Sequence, residues 1–346
     1  MLVAVPFAGL FARALDADEV VLTTGIPLSG RVLRATEDEV LVQTEDGRRV
    51  GFPRPKVAQI KLSEPAVLRL AEEIYAEGRY AAAAEGYQRA VSALGTGLLC
   101  QRTRLKLVEC LIAGGEEARA VEAFLDLLNE DPQSPAALAL PLFGMALNDP
   151  AGVIAALGQR ERSAADDRVL SVLRALRSWA HLSAGDTERA ARLADDLARA
   201  SDPSAQSLGA VCQGWRTYRA GRAAEAAGEI ERVRPRLAAL ARPHAEMLLA
   251  HCYGSTGQHR EALLAALRLA FAYDDFPHLA AEGLYLAGQN FAAIKQTPQA
   301  LAMFRQLAGT YPMSRRRADA RRRIQELERP VATQPSTPAP QRPATP

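Results

Sequence analysis

Two kinds of hydrophobic pattern divide the chain. Across residues 18–62 apolar and polar residues alternate in five short runs, which is typical of β-strands, whereas across residues 63–328 apolar residues recur at helical spacing. The dipeptide Asp46-Gly47 stands between two of the alternating runs, which indicates a hairpin turn. The sequence therefore predicts a small five-stranded β module followed by a long helical region.

A recurring polar turn organises the helical region. A glycine stands between two apolar-periodic segments at intervals close to 36 residues or twice that, and a lysine takes its place at the end of the series. The turn positions are Gly78, Gly115, Gly185, Gly221, Gly257 and Lys295. A fixed period of this length is typical of stacked supersecondary units, so the pattern predicts about seven helix hairpins. One of them is a weak unit around Asn148, within the double interval.

Small residues mark the points where the two helices of each hairpin would touch. A small or apolar residue recurs seven positions before the turn and an alanine five positions after it, as in Ala71 and Ala83 or Ser178 and Ala190. Antiparallel helices approach closely only where side chains are small. These residues resemble the tetratricopeptide-repeat (TPR) family, which also carries an aromatic residue four positions further on and a proline between repeats.

Further positions support this resemblance, which covers roughly residues 65–328. Pro132 and Pro312 match the proline between repeats, while Ala194 and Ile230 depart from the family at its aromatic position. That position is aromatic at Tyr87, Phe124 and Phe304. The resemblance implies a mostly α fold, a TPR-type α-solenoid. The order of strands and turns in the preceding β module separately resembles small SH3-like or Sm-like barrels.

The two ends of the chain differ from the rest in composition. Residues 1–17 hold an apolar run followed by Ala12-Arg13-Ala14, a pattern like a signal-peptidase site, although no basic segment precedes it. Residues 329–346 are rich in proline and hold too little apolar bulk to fold. We therefore expect a signal-peptide remnant, a disordered tail and a periplasmic or otherwise exported bacterial protein, with a cytoplasmic protein as the alternative.

Composition and spacing offer little chemistry. The 42 basic and 40 acidic residues nearly cancel, so no global charge favours nucleic acid. Four cysteines lack the C-x-x-C spacing of a zinc site, which favours buried thiols. His244 and His251 lie about 10 Å apart along a helix, too far for one zinc ion. We expect no enzyme, cofactor, metal or transmembrane helix, and no small-molecule substrate.

The resemblance also implies a binding surface. In the TPR family, stacked first helices line a concave groove, and transferring its groove positions relative to each turn gives a set of candidate contacts for a peptide or protein. They are Glu72, Tyr75, Glu109, Ile112, Trp179, Leu182, Trp215, Tyr218, Met247, His251, Tyr285 and Gln289. Trp179, Trp215 and His251 recur at intervals of 36 residues and would stack as a ladder. The alternative is a core role, because Trp215 also continues an apolar stripe at helical spacing.

The leading hypothesis is a protein-binding scaffold, with the β module as a second contact surface. The last full repeat is similar to repeats of bacterial envelope TPR proteins that help to assemble envelope complexes. The alternative is RNA binding through the Sm-like module and the arginine clusters at residues 315–317 and 321–323, which otherwise form a solvated face.

Overall fold

The computed structural model describes residues 17–329, which form a five-stranded antiparallel sheet followed by an array of fourteen helices. The strands are β1 (Asp18–Leu22), β2 (Pro27–Ala35), β3 (Glu39–Gln43), β4 (Arg49–Pro53) and β5 (Val57–Lys61). The helices are α1 (Ala66–Ala76), α2 (Tyr80–Leu94), α3 (Leu98–Ala113), α4 (Glu117–Glu130), α5 (Pro150–Glu161), α6 (Asp167–Ser183), α7 (Thr187–Ala198), α8 (Pro203–Arg219), α9 (Ala223–Val233), α10 (Arg242–Ser255), α11 (His259–Ala272), α12 (Pro277–Ala293), α13 (Thr297–Thr310) and α14 (Arg317–Glu328). Residues 1–16 and 330–346, and with them the predictions of a leader and a disordered tail, lie outside the described residues.

The five strands fall where the alternating runs predict them. Their order in the sheet is β4-β3-β2-β1-β5, and every neighbouring pair is antiparallel. One face of the sheet is buried and carries Val20 of β1, Val32 of β2 and Val40 of β3. No pairing joins the edge strands β4 and β5 within residues 17–329, so closure into a barrel stays a prediction.

The sheet is fixed to the first helices. The Asp18 carboxylate accepts hydrogen bonds of 2.9 Å from the backbone N–H groups of Val32 and Ser63, which ties β1 to β2 and to the start of the helical region. Leu98, the first residue of α3, completes the apolar cluster of the sheet. The β module is therefore packed against the start of the helical array.

The helices pair into hairpins around the predicted turns. A left-handed backbone ends the first helix of each hairpin, and glycine adopts it without steric cost. The six predicted turn positions all have positive φ: Gly78 (77°), Gly115 (80°), Gly185 (84°), Gly221 (80°), Gly257 (78°) and Lys295 (61°). Ser178 and Ala190, a predicted contact pair, touch through a hydrogen bond of 2.9 Å from the serine hydroxyl to the alanine carbonyl. The repeat period thus fixed both the turns and the helix contacts.

The array departs from a regular solenoid between α4 and α5. The weak unit expected around Asn148 keeps only one helix, α5, because residues Pro135–Asn148 form one short 3₁₀ turn and otherwise irregular backbone. We call residues 135–148 the inner segment. Its side chains of Leu140, Leu142 and Phe143 are at most 2% exposed. The inner segment is therefore part of the core rather than a surface loop.

Helix α14 covers the last hairpin. Ala320 is fully buried, and Ile324 and Leu327 pack against the apolar cluster around Phe304. The terminal unit of a solenoid needs such a cap because its outer face has no next repeat to cover it.

Candidate functional site

The predicted ladder of aromatic rings lies inside the helical array. The ring centroids of Trp179 and Trp215 are 5.1 Å apart, and those of Trp215 and His251 are 5.4 Å apart. Tyr218 packs edge-on against Trp215 at 5.6 Å. Trp179 is 5% exposed and Trp215 is 2% exposed, so the two indoles offer almost no surface to solvent.

The inner segment covers these rings. Phe143 packs on Trp179 at 5.9 Å between centroids and on His244 at 5.1 Å. The Trp179 indole N–H donates a hydrogen bond of 2.9 Å to the backbone carbonyl of Met145. Trp179 and Trp215 therefore serve as packing surface for the chain itself, which is the core role that the sequence left open as an alternative.

Glycine allows the inner segment to approach this closely. Gly144 has φ of 82°, and a Cβ at this position would lie 2.6 Å from the Met247 sulfur and 2.9 Å from Trp215 Cζ2. His244 fixes the same stretch, since its Nε2 accepts a hydrogen bond of 3.4 Å from the Leu140 N–H. Burial lowers the pKa of His244 to about 3, which keeps the ring neutral and able to accept. The inner segment therefore fills the middle of the groove, where side chains of the array hydrogen-bond to its backbone as they would to a bound peptide.

The other predicted contacts divide by exposure. Met247 is buried beneath Gly144, and Tyr285 is buried against Phe304 with ring centroids 5.9 Å apart. Ile112 and Leu182 are also buried. Six of the predicted residues keep partial exposure: Glu72, Tyr75, Glu109, Tyr218, His251 and Gln289. The structure brings three of these six together, Glu72, Tyr75 and Glu109, at one end of the array.

A cavity of about 150 Å³ lies at this end, where the first two hairpins face the last one. We call it the closure cavity. Its walls come from α1, α3, the inner segment, α12 and residues 310–316, and include Tyr75, Glu109, Met145, His278, Tyr311 and Met313. One of its lining residues, Thr310, is exposed to solvent. The groove is therefore accessible at this end and closed in the middle.

Two buried ion pairs close the array around the cavity. Arg315 pairs with Glu117, a carboxylate that is 1% exposed, and donates a hydrogen bond of 2.9 Å to the carbonyl of Ala146. Glu117 also accepts hydrogen bonds of 2.9–3.0 Å from the N–H groups of Asn148 and Asp149. The second hairpin, the inner segment and the last loop are therefore held by one carboxylate.

The second pair lies beside the first. Arg316 donates two hydrogen bonds of 2.7 Å to the buried Glu282 carboxylate, and its guanidinium stacks 4.6 Å from the centre of the Tyr285 ring. Bidentate contact of this kind fixes geometry as well as charge. It raises the pKa of Arg316 against the opposing effect of its burial, so the guanidinium stays charged.

The predicted arginine clusters are thus mostly occupied within the chain. Arg322 and Arg323 pair with Asp319 and Glu326 on the surface of α14, and the Arg317 guanidinium donates to backbone carbonyls. Sequence patterns did not reveal the pair of Glu117 and Arg315, because the two residues are 198 positions apart. The pairing of Glu282 with Arg316, 34 positions away, was not predicted either. An unusual local sign was available only for the inner segment, whose apolar run Leu-Phe-Gly-Met lies between prolines without helical spacing.

The electrostatics of the closure cavity centre on Glu109. The Lys106 ammonium, one helical turn away, donates hydrogen bonds of 2.6 and 2.7 Å to the two carboxylate oxygens of Glu72. It also lies 5.7 Å from the centre of the Tyr75 ring. Glu109 has no ion pair or hydrogen-bond partner for its carboxylate within residues 17–329. Burial raises the pKa of Glu109 to about 7, with Lys106 acting in the opposite direction. Burial and the nearby Glu109 also raise the pKa of Tyr75 to about 12.

Other chemistry is sparse in the described part of the chain. Residues 17–329 contain no cluster of His, Cys, Asp and Glu that could hold a metal ion. The four cysteines are unpaired and buried, as their spacing predicts. No helix in this range combines the length and the apolar character needed to cross a bilayer.

Comparison with protein families identifies the helical region. A tetratricopeptide-repeat model matches residues 102–134 and residues 282–314. The chain contains tetratricopeptide repeats in these two segments. The two matched segments cover most of the α3–α4 and α12–α13 helix pairs, and they face each other across the closure cavity. No curated protein matches the sequence.

TPR repeats generally mediate protein–protein interaction, and proteins of this family are typically non-enzymatic scaffolds. In this TPR protein the two most regular repeats are the ones that meet at the accessible part of the groove. The repeats that hold Trp179 and Trp215 depart from the family and pack on the inner segment.

Proposed function

We propose that this TPR protein is a non-enzymatic interaction scaffold that binds a protein or peptide at the closure cavity. The observation that carries the proposal is the accessible cavity between the two family-matched repeats, with Tyr75 and Glu109 among its walls. A concave, mostly apolar site with a few polar groups is the usual form of a binding site. The middle of the groove is a poorer candidate because the inner segment occupies it.

A steric block tests the proposal. Thr310 is exposed and lines the mouth of the cavity, so Thr310→Trp is expected to fill the opening without disturbing the core. Gln306→Trp is the matched control, since Gln306 is exposed on the same helix and does not line the cavity. Tagged wild-type protein and both variants would be used to capture proteins from native extract, with identification by mass spectrometry.

The expected result is a set of proteins held by the wild type and by Gln306→Trp and lost from Thr310→Trp. Circular dichroism and thermal melting would establish that both variants are folded. Equal capture by all three proteins would contradict the proposal.

The finer role in cell-envelope assembly rests on the likeness of the last repeat to envelope TPR proteins. Export to the periplasm rests on residues 1–17, nearly all of which lie outside the described residues. We retain both as proposals, together with a contact role for the β module.

RNA binding is the competing hypothesis. Within the two arginine clusters, Arg315, Arg316, Arg322 and Arg323 are already engaged in ion pairs, which makes the clusters poorer phosphate sites. Filter binding to RNA across a salt series separates the two ideas, because phosphate contacts give an affinity that falls steeply with salt.

A further inference from the structure

One acidic side chain in the closure cavity lacks a counterion. The cation nearest to it in sequence, Lys106, is already engaged by both oxygens of Glu72. Arg315 and Arg316 line the cavity too, but they are paired with Glu117 and Glu282. With Glu109 ionised, three carboxylates therefore face two guanidinium groups, and Glu109 supplies the unbalanced negative charge.

A second polar group in the cavity also lacks a partner. His278 lines the wall, and its Nε2 atom is buried without a hydrogen bond within residues 17–329. Burial lowers the pKa of His278 to about 4, so the ring is neutral and can offer a lone pair. Glu109 and His278 therefore present acceptor atoms on the walls of the same cavity, which suits a ligand with several N–H donors.

The remaining walls suit a flexible apolar stem. Ile112, Met145, Pro312 and Met313 supply aliphatic and thioether surface, and Tyr75 and Tyr311 supply aromatic rings that attract a cation. The volume is about 150 Å³, which is much more than a single water molecule needs, so the cavity has room for a side chain. A lysine side chain has four methylene groups and one ammonium.

We propose that the partner inserts a lysine side chain into the closure cavity, with its ammonium bound to Glu109. This inference rests on the proposed function and names the chemistry of the partner. The ammonium carries three donors, one for the Glu109 carboxylate and one for His278 Nε2, while the stem covers the apolar wall. The neighbouring Arg315 and Arg316 remain in their own ion pairs.

Binding should depend on pH through Glu109. The ionisable groups that face it are Glu72 and Tyr75 of α1, Lys106 and Cys110 of α3, His278 and Glu282 of α12, and Arg315 and Arg316 of the last loop. Only the ionised carboxylate pairs with an ammonium, so affinity is expected to be higher at pH 8 than at pH 5.5.

The NMR signals of methionine methyl groups provide a direct test. The chain has five methionines, and two of them, Met145 and Met313, line the cavity. Protein carrying ¹³C-methyl methionine would be titrated with Nα-acetyl-lysine methylamide, whose only ammonium is on the side chain. The NMR signals of these two methyl groups, assigned through Met145→Leu and Met313→Leu, are expected to shift saturably. Met303 on α13 does not line the cavity and serves as an internal reference.

Two comparisons make the result specific. Glu109→Gln is expected to weaken the probe by about tenfold or more, the usual loss for a charge-assisted contact, whereas Glu73→Gln on the exposed side of α1 should leave it unchanged. The norleucine analogue, which has the stem without the ammonium, should bind far more weakly. Equal shifts with norleucine, equal affinity in Glu109→Gln, or tighter binding of the arginine analogue would overturn the lysine assignment.

The two proposals fail in different ways. Loss of protein capture by Thr310→Trp together with an unchanged probe response in Glu109→Gln would overturn the lysine assignment alone. Unchanged capture by Thr310→Trp would overturn the proposed function, and with it a protein as the source of the lysine.

Discussion

The middle of the groove and its end differ in what occupies them. In the middle, the inner segment lies on Trp179 and Trp215, and indole and imidazole groups bond to its backbone at Met145 and Leu140. At the end, the walls enclose an accessible cavity in which Glu109 and His278 have no partner in the described chain. The difference is one of occupancy: the chain itself fills the middle of the groove, whereas the end keeps an accessible cavity with an unpaired carboxylate.

Weakening the packing of the inner segment in the middle of the groove is expected to have the largest effect on stability. Phe143→Ala deletes a ring that is 1% exposed and packed between Trp179 and His244, so the free energy of unfolding should fall by about 4 kcal/mol. Urea denaturation measures the change. Phe271→Ala is the matched control, because Phe271 is 53% exposed and its loss should cost under about 0.5 kcal/mol. Similar losses in both variants would show that the inner segment is not tightly packed.

A smaller loss of stability is expected at Gly144, where the inner segment approaches Trp215. Gly144→Ala forces a left-handed backbone on alanine and drives its Cβ into Met247 and Trp215, which should cost about 2 kcal/mol in free energy of unfolding. Gly228→Ala in α9 is the control, since its Cβ meets nothing within 4 Å and helix propensity should make it stabilising by roughly 0.5–1 kcal/mol. Opposite signs of the two changes are the result to look for in thermal or urea unfolding.

The third effect concerns the open region and has the opposite sign. The Glu109 pKa is raised from 4.5 to about 7, so the folded chain keeps a proton that the unfolded chain has already released between these values. The stability from this group is present below pH 4.5 and is lost as pH rises through about 7. Glu109→Gln should therefore raise the free energy of unfolding by on the order of 2 kcal/mol at pH 8 and leave it nearly unchanged at pH 4.

Urea unfolding at both pH values tests this expectation, with Glu73→Gln as the control on an exposed site. A loss of stability in Glu109→Gln at pH 8 would mean that the carboxylate already has a partner. The closure cavity would then resemble the filled region.

Much of the fold was available from the sequence because its determinants are local. A turn every 36 residues or so located six positive-φ residues, including Lys295, and small residues located helix contacts such as Ser178 with Ala190. Alternation located the five strands. These patterns depend on residues within about one repeat of each other.

The candidate site was less predictable because its contacts are distant. The family spacing predicted that Trp179, Trp215 and His251 lie close together. It could not predict that Phe143 and Gly144 cover these rings, because the inner segment does not follow the repeat period. Glu72, Tyr75 and Glu109 were found by spacing alone. Their role at a cavity depends on residues near the other end of the chain, such as Tyr311 and Met313.

The pair between Glu117 and Arg315 has a consequence for biosynthesis. The two residues are 198 positions apart, so the carboxylate leaves the ribosome roughly 10–40 s before its partner at ordinary rates of translation. During that interval the early hairpins can form, but Glu117 cannot be fully buried as an ion pair. The nascent chain therefore carries an unfinished second hairpin, accessible to chaperones and proteases, until the last loop arrives and locks it.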